Sequence, residues 1–194
     1  DLAKNLIEKV VHTANLKSAF RAVKRNKGAP GIDKRTICDV EAVLDDIIKE
    51  LQSSIIDDKH TPSSVRGVQI PKANGKTRLL GIPTVIDRMV QQAIVQILSP
   101  IFDPHFSDNS YGFRPKRSAS GAISKAKSYV KSGKSWVVDM DLEAFFDNVN
   151  HDILMSMIAH SISDKKLLKL IRSFLNAGMM QNGLVSKRDV GTPQ

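Results

Sequence analysis

An apolar run that leads directly into a cluster of acids, residues 136–151, places the strongest constraint on how this chain folds. Residues 136–138 are Trp-Val-Val, an aromatic and β-branched run typical of a buried strand. Acids follow at positions 139, 141, 143 and 147. Alternation along a strand places Asp139 and Asp141 on one face at its C-terminal end, where α/β-type sheets usually present their chemistry. The sequence therefore predicts a strand that ends in a carboxylate site.

Carboxylate oxygens at the end of a strand suit a hard cation. Mg²⁺ is usually bound by one or two carboxylates together with substrate phosphates, so one aspartate beside a backbone carbonyl forms half of such a site. The same acids also suit solvated loop residues or helix caps. Spacing alone leaves both interpretations open.

The pattern Asp141-x-x-x-x-Phe146, followed by Asp-Asn-Val-Asn-His151, resembles the first catalytic palm motif of reverse transcriptases, most closely those encoded by group II introns. The resemblance implies that Asp141 is the ligand shared by two Mg²⁺ ions and that the backbone carbonyl of Leu142 is a further ligand. It also implies that the ring of Phe146 excludes the 2′-hydroxyl of a ribonucleotide. Asp139 and Asp147 match no ligand position of that motif.

The positive charge of the chain is concentrated upstream of these acids. The net charge is +9, from 29 Lys and Arg against 20 Asp and Glu. Between Tyr111 and Val138 there is no acid, and the basic residues there are Arg114, Lys116, Arg117, Lys125, Lys127, Lys131 and Lys134. Such blocks bind polyanions with little sequence preference, although a basic solvated surface has the same composition. Their position next to an acidic site favours a nucleic acid, with Lys125, Lys127 and Lys131 as contacts.

A tight turn interrupts the N-terminal helical pattern at Asn26-Lys-Gly-Ala-Pro-Gly-Ile-Asp33. Glycine lets a basic turn approach a phosphate backbone closely, and the local chemistry fits a plain interhelical turn equally well. The string is similar to the N-terminal extension of group II intron and related non-retroviral reverse transcriptases. That resemblance implies that Asn26, Lys27 and Gly28 help to grip the template.

A β-hairpin is predicted over residues 65–83, because Asn-Gly at its centre is a strong hairpin signal. A hairpin with Lys72 near its tip and Arg78 on the returning strand presents two cations that suit a triphosphate. A basic hairpin is also common as plain solvated surface. The string Ile-Pro-Lys-x-Asn-Gly-Lys-x-Arg-x-Leu-Gly-Ile-Pro, residues 70–83, resembles the fingers motif of group II intron reverse transcriptases. It implies nucleotide contact by Lys72 and Arg78.

Two further strings match the same family. Ser-Tyr-Gly-Phe-Arg-Pro-x-Arg-Ser, residues 110–118, makes Arg114 and Arg117 candidate contacts to the template or primer backbone. Gly-Thr-Pro-Gln, residues 191–194, matches the opening of a motif whose glutamine, here Gln194, lies against the incoming nucleotide. The family's second palm motif, an aromatic residue followed by x-Asp-Asp, does not occur in this sequence.

Helical spacing predicts most of the remaining chain. We expect one helix over residues 1–25, one from Thr36 to about Ser53, one from Thr84 that Pro100 ends, a thinly apolar one before Gly133, and two after Asn150, with a second hairpin over residues 179–190. The one cysteine, Cys38, predicts a small buried residue and a reducing, cytoplasmic location. No apolar run approaches the roughly 20 residues that cross a membrane.

These observations predict an α+β chain, with reverse transcriptase fingers that are mostly helical and carry a β-hairpin, followed by an incomplete palm. The expected segments are an N-terminal extension (1–35), fingers (36–135) and partial palm (136–194). The resemblance implies an RNA-directed DNA polymerase of a group II intron that also binds intron RNA and assists splicing and mobility. One aspartate does not fix two ions, so we expect residues 1–194 alone to be inactive, with Mg²⁺ bound by the intact enzyme.

The expected partners are an RNA template, intron RNA, a DNA primer or target and deoxynucleoside triphosphates, with no membrane. Three alternatives stay open: an RNA-binding module that assists splicing, a bacterial reverse transcriptase not linked to an intron, and a dimerising fragment. A homodimer would form if an exposed edge strand of the incomplete palm paired with a second copy.

Overall fold

The computed structural model describes residues 5–71, 75, 77–181, 183–186 and 190–192, and the chain forms two compact units. Asp1–Leu98 and Ala144–Gln194 make up the first unit, and Ser99–Glu143 the second. These units cut across the predicted segments 1–35, 36–135 and 136–194, which stay a prediction.

The described residues form eight α-helices, four strands and two 3-10 turns. In chain order they are α1 (Leu6–Val11), α2 (Thr13–Arg25), α3 (Ile37–Ala42), α4 (Leu44–Ile56), β1 (Val65–Pro71), β2 (Thr77–Ile82), α5 (Val85–Phe102), a 3-10 turn (Asp103–His105), α6 (Ala119–Lys131), a 3-10 turn (Phe146–Asn148), α7 (His151–Ser161), α8 (Lys165–Asn176), β3 (Met179–Gln181) and β4 (Leu184–Ser186).

Three of the predicted helices differ in their bounds. The expected helix over residues 1–25 is two helices, because His12 takes a non-helical conformation and its Nδ1 accepts a hydrogen bond from the Ala14 N–H. The expected helix from Thr36 is also two, since the backbone of Val43 leaves the helical region. Pro100 lies inside α5, which continues to Phe102. Cys38 is exposed on α3 rather than buried.

The sheet of the first unit joins both predicted hairpins in the order β2-β1-β3-β4. Strands β1 and β2 pair antiparallel, as do β3 and β4, and these pairings confirm the two hairpins. Strand β1 also runs parallel to β3, with Val65 beside Met179. This parallel pairing was not expected from the sequence, because its two strands lie more than a hundred residues apart.

The core of the first unit lies between helices from both ends of the chain. Leu16, Met89 and Leu167, from α2, α5 and α8, are completely or almost completely buried. The Asp164 carboxylate accepts from the Leu167 N–H at 3.1 Å, which caps α8, and from the Ile7 N–H of α1 at 2.8 Å. One side chain therefore ties the N-terminal helix to a helix near the C-terminus. The α+β fold predicted from the sequence is confirmed.

The second unit has little core. None of residues 99–143 is buried, and helix α6 is capped by Ser118, whose side chain accepts from the Gly121 N–H at 3.2 Å. The strand predicted at residues 136–138 is wrong: Trp136 is 94% exposed and no strand of the described chain pairs with it. A strand needs a hydrogen-bonded neighbour and a packed face, and strand propensity alone supplies neither.

Among the described helices, none combines the length and apolar character that crossing a membrane requires.

Candidate functional site

The aspartate on which the sequence analysis depends, Asp141, lies in an irregular exposed segment of the second unit. Its Oδ1 accepts a hydrogen bond from the Leu142 N–H at 2.9 Å, which fixes the carboxylate relative to the following peptide. The Leu142 side chain is 71% exposed. The Asp141 carboxylate and the backbone of Leu142 therefore lie on an exposed surface that solvent and substrate can reach.

The donor set at Asp141 fits Mg²⁺ in kind. Mg²⁺ takes oxygen ligands and commonly keeps several waters, so one carboxylate, one carbonyl and substrate phosphates suit it. Across the described part of the chain, no three His, Cys, Asp or Glu side chains come together as a closed metal site would require. As a metal ligand, Asp141 would supply only part of such a site, and further ligands would be needed to complete it.

Phe146, the predicted selector against ribonucleotides, belongs to the first unit. Its ring is 48% exposed and packs edge to face against Phe145, with centroids 5.4 Å apart. Its carbonyl accepts a hydrogen bond from the Thr192 N–H at 2.8 Å. The segment that leads to Gln194 is thus held against the backbone of Phe146. Gln194 itself lies outside the described residues.

The predicted hairpin presents Arg78 on β2, opposite Ile70 of β1. The Arg78 side chain is exposed, and no ion pair involves it within the described ranges. Its guanidinium is therefore available to an anionic ligand. Lys72, the other predicted contact of this hairpin, lies outside the described residues.

The glycine-containing turn at residues 26–33 is anchored through its carbonyls. Arg88 Nη2 donates to the Ala29 carbonyl at 2.7 Å, and Arg66 Nη1 donates to the Pro30 carbonyl at 3.2 Å. Gly28 faces Arg88 so closely that a Cβ on it would lie 1.9 Å from Nη1. Burial lowers the pKa of Arg88, and Asp33 opposes that effect. The sequence analysis missed Arg66 and Arg88 as the residues that hold this turn.

The opposite side of the turn is open. Asn26 and Lys27 are exposed, and Lys27 has a φ of 49°. Within the described residues, the backbone N–H groups of Gly28, Ala29 and Ile32 donate no hydrogen bond. A turn with free N–H groups and a lysine is an arrangement that binds anions. The three predicted residues Asn26, Lys27 and Gly28 are therefore brought together on one loop.

Arg114 is engaged within its own loop. Its Nε donates to the Asp103 carboxylate at 2.8 Å, its Nη1 to the Ser107 carbonyl at 2.6 Å, and its side chain is only 7% exposed. Hydrogen bonding to Arg114 lowers the pKa of Asp103. The structure gives Arg114 the role of a loop anchor, and its contact with nucleic acid stays a prediction.

Arg117 is placed in a similar way but is more open. Its Nη1 donates to the Asp108 carbonyl at 2.8 Å, and its guanidinium lies over the Tyr111 ring at 5.3 Å. The side chain is 28% exposed. One face of the guanidinium is thus used by an aromatic ring, which limits the contact it can offer to a phosphate.

Helix α6 carries the exposed lysines. Lys125 of α6 and Lys134, just beyond its end, each place Nζ 5.3 Å from the centre of the Tyr129 ring, so two cations contact one aromatic ring. Lys127 and Lys131 lie four residues apart on one helical face and form no ion pair with any described residue. Of the predicted basic contacts, these two lysines are the freest to meet a polyanion.

Comparison with known proteins identifies the family of this chain. The family model described as "Reverse transcriptase (RNA-dependent DNA polymerase)" matches residues 70–194, which is more than half of the chain. The chain belongs to the reverse transcriptase family. The resemblance to reverse transcriptases encoded by group II introns is likewise confirmed.

Two relatives show the extent of the likeness. Protein YkfC of Escherichia coli is 34% identical over 98% of this chain and 52% of its own length. The group II intron-encoded protein LtrA of Lactococcus lactis is 38% identical over 91% of this chain and 29% of its own length. The chain therefore spans about half or less of the curated relatives it matches.

A solved structure supports the fold. A chain of a structure described as a partial Cas6-RT-Cas1–Cas2 complex superposes with a TM-score of 0.64, over 99% of this chain and 32% of that chain, at 20% identity. At this identity the likeness concerns the fold alone.

Proposed function

We propose that this chain is part of an RNA-directed DNA polymerase that extends a DNA primer on an RNA template. The observation that carries the proposal is the family match over residues 70–194, which includes Asp141 and Leu142 in an exposed segment. The primer 3′-hydroxyl attacks the α-phosphate of a deoxynucleoside triphosphate and pyrophosphate leaves. Bound Mg²⁺ supplies charge neutralisation of the phosphates and activation of the attacking oxygen.

In this proposal, each predicted site residue has a role in the reaction. The Asp141 carboxylate and the Leu142 carbonyl would hold the cation. Arg78 and Lys72 pair with the triphosphate and stabilise the charge that develops on the departing pyrophosphate. The Phe146 ring lies below the sugar and excludes a 2′-hydroxyl, and Gln194 lies against the base and primer end.

The RNA template is gripped by backbone and lysine contacts. The free N–H groups at Gly28 and Ala29, together with Lys27, suit a template phosphate. On α6, Lys127 and Lys131 suit a second stretch of phosphate backbone. Both sets read phosphates rather than bases, so binding by them is independent of sequence and weakens with salt.

A second function in the same protein is binding of intron RNA, with a maturase role in splicing and mobility. Relatives named as group II intron-encoded and intron maturase proteins favour this role. The unpaired lysines of α6 suit a structured RNA as well as a template. A bacterial reverse transcriptase without an intron is the alternative, and it predicts template binding without preference for intron RNA.

The decisive experiment is Mg²⁺-dependent primer extension on an RNA template by the full-length polypeptide, including any residues that flank 1–194. Asp141→Asn is expected to reduce extension at least about a thousandfold, because a metal ligand is lost. Asp139→Asn is the matched control: it removes an exposed acid two residues away and is expected to keep near-normal activity. Residues 1–194 alone are expected to be inactive, because they supply one carboxylate ligand.

Equal activity of wild type and Asp141→Asn would refute the role of Asp141. A polypeptide that binds RNA tightly but extends no primer would instead favour the RNA-binding module. RNA affinity separates the two functions: Lys127→Gln combined with Lys131→Gln should lower the slope of log affinity against log salt by about 1 to 2. Lys49→Gln, on α4 beside Asp46, is the control and should leave that slope unchanged.

A further inference from the structure

We infer that His151 is a positioning residue for the nucleotide site: through one buried hydrogen bond it fixes the segment Val190 to Thr192 that leads into Gln194. The inference rests on the proposed polymerase function for its kinetic consequence. The contact itself is a property of the first unit alone.

His151 is the first residue of α7 and is 2% exposed. Its Nε2 lies 2.7 Å from the Gly191 carbonyl oxygen. A carbonyl oxygen only accepts, so Nε2 carries the hydrogen and donates it. Nδ1 is also buried and has no hydrogen-bond partner among the described residues. Burying a histidine with one ring nitrogen unpaired costs free energy. The hydrogen bond from Nε2 to the Gly191 carbonyl offsets part of that cost.

The segment held by His151 is pressed onto the chain around Phe146. The Gly191 N–H donates to the Val149 carbonyl at 2.9 Å, and the Thr192 N–H donates to the Phe146 carbonyl at 2.8 Å. Val190 forms a bridge with Asn150, whose side chain caps α7. Each described residue from 190 to 192 is therefore bonded to the loop that carries Phe146.

Glycine is required at the centre of this contact. Gly191 has a φ of 83°, and a Cβ there would lie 2.6 Å from the Asp147 carbonyl oxygen. The backbone cannot yield cheaply at that distance, so any side chain would lift the segment off the loop. The Gly191 carbonyl can then reach His151 only while residue 191 stays glycine.

The consequence concerns the incoming nucleotide. Phe146 is proposed to contact its sugar, and Gln194, two residues beyond Thr192, its base. The His151 bond helps to hold residues 190–192 against the loop that carries Phe146, and so helps to hold that loop in place. Losing the bond should weaken nucleotide binding and sugar discrimination while leaving template binding intact, since the predicted template contacts lie on other loops and on α6.

The test uses His151→Asn and His151→Gln in the full-length polypeptide. The Gln amide can place a donor near the position of Nε2, whereas the shorter Asn amide cannot. We expect Asn to raise the KM for deoxynucleoside triphosphates about tenfold, a loss of about 1.4 kcal/mol, with kcat and RNA affinity little changed. We expect Gln to stay within about twofold of wild type. His160→Asn is the matched control, because His160 is exposed and bonds only the Ser156 carbonyl of its own helix.

A second readout needs no catalysis. Hydrogen exchange of the Thr192 N–H should be slow in wild type and His151→Gln and faster in His151→Asn. If His151→Asn does not fold, Gly191→Ala displaces the same carbonyl without altering the histidine and should give the same KM and exchange changes.

Unchanged KM and exchange in a folded His151→Asn variant would overturn the inference. A parallel fall of kcat, nucleotide binding and RNA affinity, without rescue by Gln, would also overturn it and indicate a purely structural role. An inactive wild type would refute the polymerase function instead, and the exchange result would then decide whether His151 orders the segment.

Discussion

Gly31→Ala is the substitution for which the structure gives the sharpest expectation. Gly31 is buried in the turn that Arg88 and Arg66 anchor. A Cβ added at this position would lie 2.7 Å from both the Cα and the N of Thr84 and 2.9 Å from the Pro83 carbonyl carbon. All three atoms belong to backbone at the start of α5, which cannot rotate away as the end of a flexible side chain can.

The size of the effect follows from two opposing contributions. Overpacking against fixed atoms typically costs about 1 to 3 kcal/mol of unfolding free energy. Replacing glycine by alanine also restricts the unfolded chain, which returns about 0.4 to 1 kcal/mol. The expected net loss for Gly31→Ala is about 1 to 2 kcal/mol. For a chain of this size that corresponds to a Tm lower by about 2 to 8 °C.

Thermal unfolding followed by circular dichroism measures this loss, with Gly112→Ala as the matched control. A Cβ at Gly112 would meet no atom within 4 Å, so only the unfolded-state contribution remains and Tm should stay equal or rise slightly. The RNA affinity of Gly31→Ala should fall as well, because the clash would move the turn away from the Arg88 side chain that holds it. Equal Tm values for both variants would refute the argument that the turn is packed against α5.

Further expectations concern charge. Burial lowers the pKa of His60, so below its usual value of 6.5 the unfolded chain takes up the proton first and stability falls with falling pH. His60→Gln should therefore flatten the loss of unfolding free energy between about pH 7 and 5, measured by urea titration. Burial has the opposite effect at Asp87, because it raises the pKa of this carboxyl group. The stability that Asp87 contributes to the folded state therefore falls as pH rises above 3.8. Asp87→Asn should remove this fall, so the variant's free energy of unfolding at pH 7 should be higher relative to its value at pH 4 than in wild type. Arg114→Lys removes the fork that joins Asp103 to the loop carbonyls, and limited proteolysis should cut residues 103–114 faster by about fivefold or more.

Helix starts were predictable because capping is local. Thr36 and Asp39 form a capping box, Asn150 caps α7, and Asp164, one of two candidates with Ser163, caps α8. The breaks at His12 and Val43 were not, because the apolar spacing continues across both residues. Periodicity records which face is buried and does not record a single residue that leaves the helical conformation.

Strands depended on distant partners. Both hairpins were predictable because each carries its own partner and an Asn-Gly signal. The parallel pairing of β1 with β3 joins strands far apart in the sequence, and no local pattern encodes it. The run at residues 136–138 has strand propensity but no strand partner among the described residues, so it lies exposed outside the sheet.

Charge and motif predicted Asp141, Arg78 and the α6 lysines as site residues, and the structure leaves them exposed. Neither signal predicted the side chains that hold the neighbouring loops. Charge and motif also identified Arg114 as a contact, yet its guanidinium is used by its own loop. The sequence alone does not show whether a charged side chain donates its hydrogen bonds to a phosphate or to a backbone carbonyl of its own chain.

Two loops are held in place in the same way, by a side chain from the start of a helix that could not be predicted from the sequence. In each, a donor side chain from the first turn of a helix, Arg88 of α5 or His151 of α7, binds a backbone carbonyl of a glycine-containing segment. The donors are fixed because helix starts are rigid, and the glycines allow the approach. A Cβ at residue 28 would meet only the movable end of the Arg88 side chain, whereas a Cβ at residue 191 would meet the Asp147 backbone. Non-additivity is therefore expected for substitutions of His151 and Gly191. Once the donor side chain is removed, the hydrogen bond is already lost, so adding a Cβ at the glycine should cause a smaller additional loss.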